Sequence, residues 1–185
     1  MTIIVGLSGS LRRASYNTSL LRAAASLMPP DSVLRVETLA GIPLYNGDEE
    51  DAGGVPEAVV RLKEVIAAAD GLLLATPEYN NSIPGVAKNA FDWLSRPPAD
   101  VPRVFRGRPV ALTGASPGGF GTVLAQSAWL PVFRTLGCDF WSGGRLLVSR
   151  AGSVFDGHGE VTDPETREAL RGFLAGFVGH VRRSR

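Results

Sequence analysis

Ile3-Ile4-Val5-Gly6-Leu7-Ser8-Gly9-Ser10-Leu11-Arg12-Arg13-Ala14-Ser15-Tyr16-Asn17 lies near the start of the sequence and decides how the remainder is read. Ile3 to Val5 form an apolar run suited to a buried strand, and Leu20 to Leu27 continue with the composition of a helix. The loop between them carries glycines, hydroxyls, an amide and two arginines. The first N–H groups of a helix lack intrahelical partners, and its dipole places partial positive charge at that end. Such a loop suits an anion. Ser10, Ser15 and Asn17 add side-chain hydrogen bonds, and Arg12, rather than its neighbour Arg13, adds charge. A phosphate is the expected ligand; simple capping of the helix by Ser and Asn is the plainer alternative.

Two familiar phosphate loops fail on residues. A nucleoside-triphosphate loop needs Gly-x-x-x-x-Gly-Lys-Ser/Thr, and this segment has no lysine. The dinucleotide fingerprint needs three glycines, whereas hydroxyls stand where the later ones belong. A hydroxyl-rich loop without a magnesium ligand suits a single terminal phosphate monoester.

The bulk properties narrow the function classes. A chain of 185 residues reads as one domain, residues 1–185. A composition of 44% hydrophobic and 20% charged residues favours neither disorder nor a membrane span. A formal net charge of +1 argues against a nucleic-acid binder. The opening strand lacks the pattern of a signal peptide, and the single Cys138 cannot form an internal disulfide, so a cytoplasmic location is expected. Cys138 reads as a buried, inert thiol. His158 and His180 have no ligand-spaced partners, and no metal is expected.

Strand and helix patterns alternate along the chain. Val33 to Leu39, Gly71 to Thr76, Pro109 to Thr113 and a last segment within Asp139–Val148 read as further strands. Helices are expected after Pro56, from Val86 to Leu94, from about Thr122 to Leu136 with a kink or break at Pro131, and after Pro164. Asp48 to Asp51 read as an exposed acidic tract. Five strands alternating with helices imply an α/β three-layer sandwich with right-handed crossovers. In open sheets of this kind ligands bind outside the carboxyl ends of the strands. The segments after the first, third and fourth strands are all rich in Gly, Ser, Asn and Pro, so one shared ligand is expected there.

Gly9-Ser10-Leu11-Arg12…Ser15-Tyr16-Asn17, Pro77-Glu78-Tyr79-Asn80…Ser82…Pro84-Gly85…Lys88-Asn89-Ala90…Asp92-Trp93, and Gly114-Ala115-Ser116…Gly118-Gly119-Phe120-Gly121 resemble the NADPH-dependent FMN reductase family. This is a flavodoxin-like group that includes bacterial quinone, chromate and azo-dye reductases. The resemblance implies a five-stranded parallel sheet of order 2-1-3-4-5 and FMN as cofactor. It assigns the FMN phosphate to Ser10, Arg12, Ser15, Tyr16 and Asn17. Pro77, Glu78, Tyr79 and Asn80 then lie along the isoalloxazine ring, and Ser116, Gly118 and Gly119 border its pyrimidine side. Glu78 is expected to act through its backbone, since a carboxylate beside a reduced flavin is repulsive.

The implied activity is hydride transfer from NADPH or NADH to FMN and on to a small acceptor such as a quinone, chromate or an azo compound. No catalytic side chain is assigned, because the cofactor carries the chemistry. An electron carrier or a flavin-binding sensor is the alternative, although carriers are usually acidic. The resemblance also implies a homodimer or homotetramer. Trp129, Leu130, Phe133 and Trp141 supply either an apolar contact patch or internal packing.

Overall fold

A computed structural model of the chain describes residues 1–184. Its centre is a parallel sheet in which β1 (Thr2–Ser8) lies between β2 (Ser32–Glu37) and β3 (Gly71–Ala75). The path continues through β4 (Pro109–Ala115) to β5 (Asp139–Phe140), giving the order β2-β1-β3-β4-β5. Residues along the central strands alternate between two cores. Ile4, Leu73, Ala75 and Ala111 face one side, where α1 (Tyr16–Ser26) and the carboxyl-terminal helix pack. Val5, Leu7, Leu72, Leu74 and Leu112 face the other, where most of the remaining helices pack. Both faces are filled, which is why β3 and β4 read as continuous apolar runs.

Most helices begin where the sequence signals them. Pro56 precedes α3 (Glu57–Ala67), and Pro84 precedes α4 (Gly85–Leu94). Thr122 precedes α6 (Val123–Leu136), and the Asp163 carboxylate accepts the Thr166 N–H at 2.7 Å to open α7 (Pro164–Arg183). Two short helices were not expected from the sequence. The acidic tract forms α2 (Gly47–Gly53), capped by the Asn46 side chain and buried nowhere, and Val101–Val104 form α5. The Lys88–Asp92 pair forms at 2.5 Å on the surface of α4. Among the described residues no helix is long and apolar enough to cross a membrane.

Two expectations are corrected. The last strand is split: Asp139 and Phe140 pair with Pro109 and Val110, whereas β6 (Leu146–Val148) pairs with Thr113 to Ala115. Residues 141–145 therefore stand against Ala111 and Leu112 alone. That surplus lets Trp141 leave the strand line and pack on Phe173 and Phe177 of α7, with ring centroids 5.1 and 5.7 Å away. Second, of the kink or break expected at Pro131 the break does not occur, since α6 continues from Val123 to Leu136. Pro131 and Ser127 are both exposed, so the Ser127 carbonyl that loses its donor faces water. Trp129, Phe133 and Trp141 pack inside the chain, and only Leu130 of the four apolar candidates is exposed.

Cys138 is half-buried, and burial pushes its thiol up to about 12. At about pH 8 the group is therefore protonated and a poor nucleophile. A disulfide-exchange reagent is expected to label it slowly in the native protein and rapidly after unfolding; fast stoichiometric labelling of the native protein contradicts this placement.

Gly114 gives a packing prediction. A Cβ there runs into the Thr76 carbonyl oxygen and the Thr122 hydroxyl, one of them rigid backbone. Gly114→Ala should lower stability in urea denaturation by about 2 kcal/mol or more, in the range of overpacked cores. Gly172→Ala on the exposed face of α7, where nothing lies within 4 Å, should raise it by about 0.5–1 kcal/mol. Equal effects at the two positions contradict the packing described.

Candidate cofactor site

The chain leaves β1 through Gly9, whose N–H donates to the Ala75 carbonyl at the end of β3, 2.8 Å away. A Cβ on Gly9 meets Pro77 at 2.9 Å, so only glycine lets the first loop lie this close to the segment after β3. Beyond Gly9 the loop turns back to α1. The Arg12 N–H donates to the Ser10 hydroxyl at 3.3 Å, and the Ser15 hydroxyl caps α1 by accepting the Thr18 N–H at 3.3 Å. The N–H groups of Tyr16 and Asn17, in the first turn of α1, have no intrahelical acceptor. Ser8 and Thr18 join hydroxyls beneath the loop at 2.8 Å.

The segment after β3 is anchored from below and behind. The Trp129 indole N–H donates to the Thr76 hydroxyl at 3.1 Å, and that hydroxyl donates to the Pro77 carbonyl. Tyr79 and Ser82 exchange backbone hydrogen bonds around Asn80 and Asn81, which have φ of 51° and 60°. Asparagine tolerates this left-handed conformation, and the pair makes a tight hairpin turn. The Glu78 carboxylate turns away from the loop and accepts the Leu124 and Ala125 N–H groups of α6 at 2.8 and 2.9 Å. It caps a helix whose own N-cap, Thr122, supplies no side-chain bond.

The segment after β4 is held by its neighbours. Ser116 donates its N–H to the Val148 carbonyl, and its carbonyl accepts from Ala151. The Ser116 hydroxyl accepts the Gly118 N–H at 3.1 Å. On the opposite side, the Asn17 side chain exchanges two hydrogen bonds of 2.9 Å with the Ala115 backbone.

The three segments meet in one cleft. Ser10, Arg12, Ser15, Tyr16 and Asn17 line it from the first loop, Pro77, Glu78 and Tyr79 from the second, and Ser116 from the third. Sequence reasoning passed over Ala115 and Pro117, which also line it; their only signal is their place at the end of β4. Asn80, Gly118 and Gly119 lie outside this lining, Asn80 at the hairpin turn and the glycines on the exposed part of the third loop. Tyr79 is exposed and faces the cleft rather than the core edge. Arg12 is exposed and Arg13 lies outside the lining. Tyr16 stacks on Phe155, with centroids 5.6 Å apart, which holds the entrance to α1.

The sequence profile of the family described as NADPH-dependent FMN reductase matches residues 2–152. This chain belongs to the NADPH-dependent FMN reductase family. It is 43% identical over 182 residues to an NAD(P)H-dependent FMN reductase of Pseudomonas aeruginosa, a match covering 98% of this chain and 96% of that one. It is 40% identical to a 2-hydroxy-1,4-benzoquinone reductase of a Burkholderia species, over 94% of this chain and 93% of the other. Among solved structures, the flavoenzyme NAD(P)H:(acceptor) oxidoreductase of Paracoccus denitrificans superposes with a TM-score of 0.87 at 32% identity, over 99% of this chain and 98% of that one. The flavodoxin-like architecture expected for the family is thus the one observed.

The geometry fits a phosphorylated, flat cofactor of the kind the family name gives. Two hydroxyls, two N–H groups of a helix start and the exposed Arg12 come from the loop after β1, and the segments after β3 and β4 complete the same lining. Glu78 offers a test of that arrangement. In Glu78→Ala the Leu124 and Ala125 N–H groups lose their acceptor, and stability should fall by about 1 kcal/mol, as for other lost helix caps. Glu78→Gln should retain most of it in urea denaturation; an unchanged Ala variant contradicts the capping role.

Proposed function

We propose that the cleft binds FMN and that the chain is an NAD(P)H-dependent FMN oxidoreductase that passes electrons to quinones or similar small acceptors. The carrying observation is the convergence of the segments after β1, β3 and β4 on one cleft that includes the start of α1. Ser10, Ser15 and the N–H groups of Tyr16 and Asn17 hold the phosphate, and Arg12 neutralises it. Pro77, Glu78 and Tyr79 run along the ring, with Asn80 at the hairpin turn beyond the lining. Ser116, with the turn through Gly118 and Gly119, borders its pyrimidine edge.

FMN, when bound, supplies the acceptance of hydride from a nicotinamide and the return of electrons to the acceptor. The chain's own contribution is placement and charge. Committing the Glu78 carboxylate to α6 keeps a negative charge from facing the ring, where reduction accumulates charge of the same sign. Exposed Tyr79 leaves one side of the cleft open to a nicotinamide or an acceptor in turn.

We read residues 1–185 as a single domain, on the continuity of the sheet and its two cores. A cytoplasmic location is supported by the single unpaired cysteine. A homo-oligomer is supported by exposed Leu124, Leu130 and Phe120 beside the cleft-forming segments.

The test is spectroscopic. The purified chain should bind FMN, turn yellow and bleach anaerobically with NADPH or NADH, and should consume the nicotinamide continuously when a quinone is present. A chain that ignores FMN contradicts the cofactor, and one that binds FMN without nicotinamide turnover contradicts the activity. Arg12→Ala should weaken FMN binding by about tenfold, the worth of one charge-assisted contact, and leave riboflavin binding unchanged. Unchanged FMN affinity removes Arg12 from the phosphate site.

A further inference from the structure

The motif around the start of α1 assigns Asn17 to the phosphate, but its side chain is engaged elsewhere. Asn17 Oδ1 accepts the Ala115 N–H at 2.9 Å, and Asn17 Nδ2 donates to the Ala115 carbonyl at 2.9 Å. Asn17 is 3% exposed and Ala115 2%. The reason lies in the sheet. β3 ends at Ala75, opposite Thr113, so β4 runs on past its neighbour on that side. In a parallel strand one residue directs both its N–H and its C=O to the same side, and at Ala115 that side has no strand left. The Asn17 amide takes the missing strand's place and satisfies both groups. Buried backbone groups left unpaired here carry the full cost of their desolvation.

We infer that Asn17 is a positioning residue that locks the phosphate-binding start of α1 to the end of β4, and so to the ring-bordering Ser116 loop. The inference rests on the reading of the cleft as an FMN site. Asn17 sits between Tyr16 and the Ser8-bonded Thr18, so the bond to Ala115 fixes the direction of the first helical turn. Ser116 directly follows Ala115 and is held from the other side by Val148. Without the bridge, the phosphate end and the ring end of the cleft move independently. One Nδ2 hydrogen stays outside the pairing, and the experiment decides whether it serves the phosphate.

A phosphate ligand and a bridge differ in how they treat riboflavin, which lacks the phosphate. The flavin-free 185-residue chain is titrated with FMN and with riboflavin by fluorescence quenching, wild type against Asn17→Ala. A bridge predicts that affinity for both flavins falls by a similar factor of about tenfold or more, as for loss of a buried two-bond contact. A loss confined to FMN, or no loss for either, overturns the inference. If Asn17→Ala does not fold, the wild-type ¹⁵N–¹H spectrum decides. The Asn17 side-chain amide resonances should shift alike with FMN and riboflavin; a shift specific to FMN overturns the bridge. A wild-type chain that binds neither flavin overturns the cofactor reading itself, whereas the variant outcomes bear on Asn17 alone.

Discussion

The edge of this sheet is organised by the close approach of two backbones, Gly9 leaving β1 and Ala75 ending β3. Their 2.8 Å hydrogen bond continues the parallel ladder one step past the strands, and the absent Cβ of Gly9 leaves room for Pro77. Because β1 is flanked by β2 and β3, the chain has strands on both sides at this point, and helices cover both faces. The carboxyl edge is then where backbone of several segments can meet around one ligand. Any residue larger than glycine at position 9 separates the first two of those segments.

Polar groups at this edge divide into those that brace and those that remain available. The Asn17 amide, the Glu78 carboxylate and the Thr76 hydroxyl are spent on neighbouring backbone or indole groups. The Tyr16 and Asn17 N–H groups have no intrahelical acceptor, the Ser10 and Ser15 hydroxyls accept one N–H each and keep their own protons to donate, and Arg12 lines the cleft. The charge balance follows from that division. The acidic group of the site is absorbed by the positive end of α6, and the basic one lies beside the positive end of α1. An anion is favoured at one end of the cleft, and no carboxylate opposes it.

Much of this was legible in the sequence, because it depends on local pattern. The apolar runs at Leu72 to Leu74 and Val110 to Leu112 declare strands buried on both faces, and Pro56, Pro84 and Pro164 mark the approach to helices. The three loops could be placed at one edge from alternation alone. What was not legible depends on partners distant in the chain. Asn17 meets Ala115 across 98 positions and Glu78 meets Leu124 across 46, and nothing local distinguishes a bridging amide from a phosphate ligand. The split between β5 and β6 goes with the packing of Trp141 on α7, a long-range contact that strand periodicity does not encode. Pro131 misleads for the opposite reason: a local rule for helix breaking yields where the freed carbonyl reaches water. The Asn80-Asn81 pair carried a readable turn signal in its residue types, one that competes with a ligand role for Asn80.

The central claim is that the start of α1 receives the phosphate of a flavin whose ring lies across the segments after β3 and β4. A crystal structure with FMN bound tests it most directly. The account predicts phosphate oxygens within hydrogen-bond reach of the Ser10 and Ser15 hydroxyls and of the Tyr16 and Asn17 N–H groups, with the Asn17 amide still on Ala115. A flavin bound elsewhere, or one whose phosphate points away from α1, contradicts it.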